Sequence, residues 1–389
     1  MAKDSSAKKI RVLHITKWYP NKNDVQNGVF VQKHILAASQ HCEVKVLAWL
    51  PGNNETVTQE SHESGLAVTR TWFKARTPIS AKRHIFIDYI NSHYNNKNLP
   101  DLLHLHVFSP DLLVAVLWAK RKQIPVVISE HWSGYARGNF SKMPKWRKWA
   151  YKRLAKVNRV LPVSKFLQSS MQACDIQANY RIVPNVVDKP STSINKQSAF
   201  SFVVIADLVD DIKNITGIIK AFNAITTGTT NIELHIIGGG PDEALLKSVV
   251  AKSKVAMKIN LHGRLANQEV QQLLPTFDVL VLNSYVETFG VVLLEAHAAG
   301  LPAIVTHCGG PDAWEEPGDI FIEPGNHNQL VAAMQTMIER GRQNLHFTKW
   351  QACLPYKVGE VLNEIYHEVI QENSLDKAKR KKRNRTKNL

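Results

Sequence analysis

Short apolar runs alternate with loops and stretches of helical spacing along the whole chain, and this alternation limits the fold more than any other property of the sequence. Residues 11–16 (RVLHIT) are the first such run. Residues 18–27 are a polar loop, and Gly28 opens a stretch with Phe30, Ile35 and Leu36 on one helical face. Runs at 44–49, 102–107, 125–129 and 159–163 read in the same way. Continuously apolar strands separated by helices build parallel sheets covered on both faces. Residues 188–198 (DKPSTSINKQS) are polar and aperiodic, and read as an interdomain linker. The alternation then restarts, with strands over 200–206, 232–237, 255–262, 279–283 and 302–306. Helices are expected over 214–224, 242–253, 268–274, 291–299 and 329–340. The expected fold is α/β, with two doubly wound, Rossmann-like domains over 1–190 and 191–354 and a ligand in the cleft between them. Residues 355–375 form an amphipathic segment with Val361, Leu362, Ile365, Tyr366, Val369 and Ile370 on one side, which could pack back on the first domain or on the second.

Charge comes in two parts. The chain of 389 residues carries 49 Lys+Arg against 33 Asp+Glu, a formal +16. Residues 376–389 hold eight of the cations and one acid, and without them the balance is 41 − 32 = +9. The body is therefore basic in its own right and suits anionic partners, while the terminal charge block is expected to be disordered. The longest apolar run, Leu112 to Ala119, is eight residues, against ~20 for a membrane-spanning helix. The apolar segment near the start is interrupted by Arg11 and His14 and is too short for a signal peptide. Cys42, Cys174, Cys308 and Cys353 form no C-x-x-C pair, so neither a zinc site nor a disulfide framework is expected. These features fit a reduced, cytoplasmic protein.

The stretch from Val279 to Trp314 carries most of the chemistry. A buried strand leads through Ser284-Tyr285-Val286-Glu287 to Thr288-Phe289-Gly290 and then into a helix bearing Glu295. Amides from Thr288 to Val291 lie at a helix start, where backbone N–H groups lack partners and the dipole favours anions. Gly290 lets a ligand approach the backbone. The pattern suits a diphosphate cradle flanked by carboxylates that grip sugar and ribose hydroxyls. The plain alternative is a helix-capping acid plus a surface glutamate. His104 and His106 alternate on one strand, which suits a satisfied core or loop role better than a metal site.

The segment ETFGVVLLE, followed by AHAAGLPAIVT and GG-P, resembles the donor-site signature of the retaining glycosyltransferases of family 4, which have the GT-B fold. Gly28-Val29-Phe30-Val31, Val163-Ser164, Val183 to Asp188, Ile237 to Pro241 and Leu261 to Arg264 resemble further elements of that family in the same order. The resemblance implies transfer of a sugar from a nucleoside-diphosphate donor to an acceptor hydroxyl with retention of configuration. It places Glu287 at the donor sugar, Glu295 at the ribose, and the N–H groups of Thr288, Phe289, Gly290, Val291 and Gly28 at the diphosphate. Lys213 matches the lysine that neutralises the leaving diphosphate, and His131 a histidine facing the donor sugar. Arg264 and Leu265 lie where the base edge is met. The departing diphosphate gains charge in the transition state, so a fixed cation and amides stabilise that state most.

No Asp-x-Asp occurs in the chain, so a metal-independent enzyme without a resident cofactor is expected, with the nucleotide sugar as co-substrate. One departure stands out: where the family has an arginine six residues before its lysine, this chain has Asp207, a charge that repels a diphosphate unless it meets a cation. Val186 replaces a usual glycine, which touches a turn rather than chemistry.

Residues 142–156 (KMPKWRKWAYKRLAK) mix cations with Trp146, Trp149 and Tyr151 at helical spacing in the first domain, the half that meets the acceptor in this family. Two readings stay open. One is an anionic membrane face serving a lipid-linked or saccharide acceptor; the other is a solvated helix whose tryptophans and Leu154 pack inward. No motif that reads nucleic acid accompanies the basic segments. The expected function is polysaccharide or glycoconjugate assembly at the inner face of the cytoplasmic membrane. Two rivals remain: a sugar-nucleotide epimerase or hydrolase of the same fold, and a catalytically inactive nucleotide- or nucleic-acid-binding protein.

Overall fold

The computed structural model describes residues 9–52, 56–74, 77–95, 98–189, 196, 198–226 and 231–386, apart from the side chains of 79 and 380–386. Residues 190–195 and 197 of the linker lie outside the described set. The chain divides into two compact units, Met1–Val186 joined by Pro355–Leu389, and Val187–Leu354. The C-terminal helix thus belongs to unit 1, and the boundary falls four residues before the one expected from the linker's composition.

Unit 1 is built as β1 (Arg11–Thr16), α1 (Val29–Ser39), β2 (Glu43–Pro51), β3 (Val57–Glu63), β4 (Leu66–Phe73), α2 (Ile79–His93), β5 (Leu102–His106), α3 (Leu113–Lys122), β6 (Val126–Glu130), α4 (Lys145–Leu154), β7 (Arg159–Pro162) and α5 (Lys165–Ala173). Its sheet runs β3-β4-β2-β1-β5-β6-β7. All neighbours are parallel except the β3–β4 hairpin at the edge. Unit 2 follows with β8 (Phe200–Ile205), α6 (Asp210–Lys213), α7 (Ile215–Ile225), β9 (Ile232–Ile237), α8 (Glu243–Ala251), β10 (Ile259–Gly263), α9 (Asn267–Leu273), β11 (Val279–Leu282), α10 (Val291–Ala298), β12 (Ala303–Thr306), β13 (Ile320–Ile322) and α11 (His327–Arg340). The six strands lie in the order β10-β9-β8-β11-β12-β13, all parallel. In both units the order reverses about the first strand, so each is a doubly wound fold whose ligands belong beyond the carboxyl ends of the strands.

Helix α12 (Pro355–Thr386) returns to unit 1. Val358, Leu362, Ile365, Tyr366 and Val369 recur every three or four residues and are all buried in the first unit's core. Burying side chains of this kind contributes roughly 1.5–3 kcal/mol each, enough to fix the helix. Gly359 makes the close crossing possible: a Cβ there would sit 2.4 Å from the Ala37 carbonyl oxygen of α1. The helix continues through Thr386, so the described part of the terminal charge block, 376–386, is helical rather than structureless. Lysine and arginine are good helix formers, and extending a helix already nucleated by packing fixes little more than one residue per hydrogen bond.

The core of unit 1 holds an unusual polar feature. His14 on β1 lies opposite His104 on β5, with His106 two residues further along the same face. The three rings are fully buried, with centroids 4.3–5.3 Å apart. Their nitrogens largely serve one another and the surrounding elements. His14 Nδ1 meets His106 Nε2 at 3.0 Å, while His104 bonds the Tyr366 hydroxyl of α12 at 2.7 Å and Ser129 Oγ of β6 at 2.8 Å. His104 is satisfied in the core as expected, whereas His106 Nδ1 and His14 Nε2 have no hydrogen-bond partner among the described residues, and the three rings offer nitrogens within 4.8 Å of one another.

Burial, reinforced by the neighbouring imidazole of His34, pulls His14 down to about 3 from an ordinary 6.5. Burial pulls His34 down to about 4. His104, His106 and His131 are lowered by the same two causes, burial first. These rings are neutral in the folded state, whereas the unfolded chain takes up protons below about pH 6.5. Their contribution to stability is therefore complete above that pH and is lost as pH falls toward 3–4, at up to ~1.4 kcal/mol per pH unit for each histidine. Seven of the nine tryptophans belong to unit 1, so urea unfolding followed by tryptophan emission reads this unit. Its midpoint is expected to drop steeply between about pH 7 and pH 5, and a flat midpoint there would contradict the buried neutral cluster.

Candidate active site

In unit 2 the site is assembled from the ends of β8, β9, β11 and β12. After β11 the chain turns through Ser284 to Glu287 and is stitched to its neighbours by backbone bonds. Tyr285 N–H donates to the Ile212 carbonyl (2.8 Å), Glu287 N–H to the Cys308 carbonyl (2.9 Å), and Gly310 N–H to the Glu287 carbonyl (2.9 Å). Glu287 is thus in an extended bridge with Gly309, not on a helix. It stands before the helix that carries Glu295, because α10 begins only at Val291.

Two glycines set this turn. Gly290 has φ 78° and precedes the first turn of α10, and a Cβ on it would lie 2.6 Å from Pro311 Cγ. Gly310 passes so close to the 288–289 peptide that a Cβ would sit 2.4 Å from Thr288 C and Phe289 N. Phe289 is buried, edge-on to Trp314 at 5.3 Å, so its side chain anchors the turn and only its backbone can face a ligand. Thr288, Val291 and Glu295 are half-buried along the start of the helix. Glycine offers no side chain to cap α10, which leaves the dipole at this end to favour an anion.

The charged pair at this turn is Lys213 with Glu287. The Lys213 ammonium donates to Glu287 Oε1, and Ser284 Oγ donates to the same oxygen at 2.9 Å. Burial alone would lower the Lys213 ammonium, but the Glu287 carboxylate outweighs it, Asp207 and Cys308 add to the effect, and the net shift is upward. The cation is firmly charged. Asp207, which looked repulsive in the sequence, pairs with Arg264 Nη2 at 3.1 Å, and the same guanidinium nitrogen bonds the Gly239 carbonyl at 2.8 Å. Both partners are largely exposed, so the pair adds little stability. It does orient the Asp207 charge toward a cation. Beside it, a cavity of about 240 Å³ is lined by Leu208, Ile236, Gly238, Leu246, Leu261 and His262. Leu265 packs partly buried against the second core of the unit and, with Arg264, lies just past the cavity's rim at Gly263.

Sequence reasoning missed the support behind the helix. His297, two residues beyond Glu295, is buried, stacks on Phe347 at 4.4 Å and meets Asp319 at 3.0 Å. Asp319 also accepts the N–H groups of Ala303 and Glu316, both at 2.9 Å, so one buried acid ties α10 to β12 and to the following loop.

In unit 1, Gly28 is left-handed (φ 69°) and caps α1, with the Trp18 backbone 2.3 Å from where a Cβ would be. His131 follows β6 and packs on Phe30 (4.7 Å) and His34 (5.2 Å). Its imidazole faces the side chain of Asn185, without a hydrogen bond of regular geometry. The loop is shaped instead by Glu130, whose buried carboxylate accepts the N–H groups of Phe108, His131 and Trp132 at 2.8–2.9 Å and the Tyr135 hydroxyl at 3.2 Å. The His131 side chain takes no part in that hydrogen bonding, and its neutral imidazole is held by packing and by the neighbouring Asn185.

Two doubly wound units with these strand orders define a protein of the GT-B fold. Residues 188–349 match the family model of the glycosyl transferases group 1, and residues 36–189 that of glycosyltransferase family 4. The chain belongs to glycosyltransferase family 4. It is 26% identical over 259 residues to the alpha-monoglucosyldiacylglycerol synthase of Acholeplasma laidlawii, 59% of this chain and 65% of that enzyme, just under two thirds of the relative's length. It is 24% identical over 368 residues to the putative teichuronic acid biosynthesis glycosyltransferase TuaC of Bacillus subtilis (strain 168), 84% and 88% of the two chains. The structure of Anabaena HepE in complex with UDP-glucose superposes with a TM-score of 0.63 at 14% identity, covering 95% of this chain and all of that one.

The glycine contacts can be tested directly. Replacing Gly310 by Ala forces the 288–289 peptide to move, at a strain of about 1–3 kcal/mol. Hydrogen exchange should then speed up across 287–293 while β8 and β9 keep their protection. Unchanged exchange at 287–293 would show that the close approach does not hold the turn.

Proposed function

We propose that this protein is a retaining glycosyltransferase that moves a sugar from a nucleoside diphosphate to an acceptor hydroxyl, without a metal ion, in polysaccharide or glycoconjugate assembly. One observation carries the reading: a firmly charged ammonium and a carboxylate meet at a glycine turn in front of a helix start. In the proposed complex the diphosphate lies against the amides from Thr288 to Val291 and takes Lys213 as its cation. That releases the Glu287 carboxylate to accept from the sugar hydroxyls, with Ser284 still steadying it. Glu295 takes the ribose hydroxyls, and the cavity at Gly238, where Leu208, Ile236, Leu246 and Leu261 meet Glu243, Lys247 and His262, takes the base. By the family resemblance, the amide of Gly28 would also serve the donor's diphosphate and the imidazole of His131 its sugar.

The chemistry follows from charge. As the glycosidic bond breaks, negative charge grows on the diphosphate, so a preorganised cation and helix-end amides stabilise the transition state more than the ground state. The Asp207–Arg264 pair removes the repulsion that favoured an inactive protein. Among the described residues, no helix is long and apolar enough to cross a membrane. Delivery of a lipid-linked acceptor would then come from a membrane surface, in keeping with the name of the Acholeplasma relative; a saccharide acceptor is the alternative.

Nucleoside-diphosphate release from a panel of nucleotide sugars, with and without acceptor, tests the scheme. Glu287→Ala and Lys213→Ala are each expected to lower turnover by about 10²-fold or more, and release that ignores both changes would remove the site. Product anomers read by NMR should match the donor's configuration; inversion would overturn the retaining reading. Turnover should also persist in EDTA, and its loss with recovery on adding a divalent ion would refute metal independence.

A further inference from the structure

Helix α4 carries its tryptophans outward. Trp146 and Trp149 are 53% and 55% exposed, whereas Ala150, Tyr151 and Leu154 face the core. The inward-packing alternative for the tryptophans is thereby excluded. Each indole has one face covered by a guanidinium, Arg147 over Trp146 at 5.4 Å and Arg153 over Trp149 at 5.2 Å. The positions 146, 149, 153 and 156 follow one line along the helix surface and its C-terminal continuation. That line ends at Lys156, which lines a cavity of about 500 Å³ together with Lys120 of α3 and Lys377 of α12, in the company of one acid, Asp376. Alpha-helix α12 is held beside this groove by Asn373, which donates to the Gln123 carbonyl at 2.9 Å, and by Glu372, which takes Arg159 at 2.9 Å. Beyond the groove α12 carries Lys379.

We propose that α4 and the three-lysine groove beside α12 form one docking surface for an anionic phospholipid bilayer, with Trp146 and Trp149 entering the headgroup layer. The inference rests on the membrane-side reading of the acceptor given above and adds the surface that delivers it. Indoles favour the interface because an apolar ring carries a polar N–H, and cations near an anionic surface add attraction residue by residue. Leu117 on α3, 54% exposed, adds apolar surface one helical turn before Lys120 and Arg121. Nucleic acid fits less well. Sequence-tolerant nucleic-acid grooves use open aromatic faces for base stacking, and here one face of each indole is already occupied.

The full-length protein would be mixed with vesicles of phosphatidylcholine alone and of phosphatidylcholine with phosphatidylglycerol, and separated by flotation. The wild type should float with the anionic vesicles only, shift its tryptophan emission to the blue, and be released by high salt. Trp146→Ser with Trp149→Ser, and separately Lys120→Glu, Lys156→Glu and Lys377→Glu together, should each weaken partitioning roughly tenfold or more. Both variants should retain the wild-type thermal transition and UDP-sugar binding. Equal binding to both vesicle types, variants that float like the wild type, or tight RNA binding with no flotation would each overturn the proposal. UDP-sugar binding that survives a failed flotation leaves the transferase reading standing. Flotation by a protein that binds no nucleotide sugar would sink that reading and leave the docking surface intact.

Discussion

The pairing of Lys213 with Glu287 is the interaction on which the proposed chemistry of the second unit depends. A half-buried ammonium loses part of its hydration, and Glu287 compensates for it. The carboxylate in turn is fixed by Ser284 and by backbone bonds on both sides of its own residue. Without a ligand, cation and anion satisfy each other. A diphosphate can take over the cation only by contributing more charge and by gaining the amides of the helix start. The pair is therefore a placeholder with the charge pattern of the proposed donor, and its geometry is set by glycines that let two backbone segments approach more closely than any side chain allows.

Behind that pair lies a layer of buried polar groups that holds loops rather than making chemistry. Asp319 with His297 binds α10 to its neighbouring strand, and Glu130 gathers three backbone amides and a hydroxyl at the end of β6. Each buried carboxylate meets several donors, which is the condition under which burial of such a group is tolerable. The histidine stack of the first unit follows the same logic with neutral rings, and Tyr366 extends it to the last helix.

Most of both sheets was legible in the sequence because fully buried parallel strands leave unbroken apolar runs. The β3–β4 hairpin was not, since VTQESHE is an exposed edge strand whose residues are almost all polar. Strand β13 is only three residues long and leaves too short a signal. At the site, ETFGVVLLE with Lys213 and His131 could be picked out by resemblance. The pairing of Asp207 with Arg264, 57 residues away, could not. Nor could the outward direction of Trp146 and Trp149, because a helix of alternating cations and aromatics is compatible with either face turned inward until its neighbours are known.

By itself the sequence determined the two doubly wound halves, the family and the residues that carry charge at the donor turn, because periodicity, glycine placement and a contiguous signature are local properties. The tertiary structure decided what those charges meet. It turned Asp207 from an apparent repulsion into half of an ion pair, set His131 beside Asn185 while Glu130 shaped its loop, and carried the terminal helix back to the first unit. Each of these is settled by contacts between residues distant in the chain, and their energies exist only once the strands have brought the partners together.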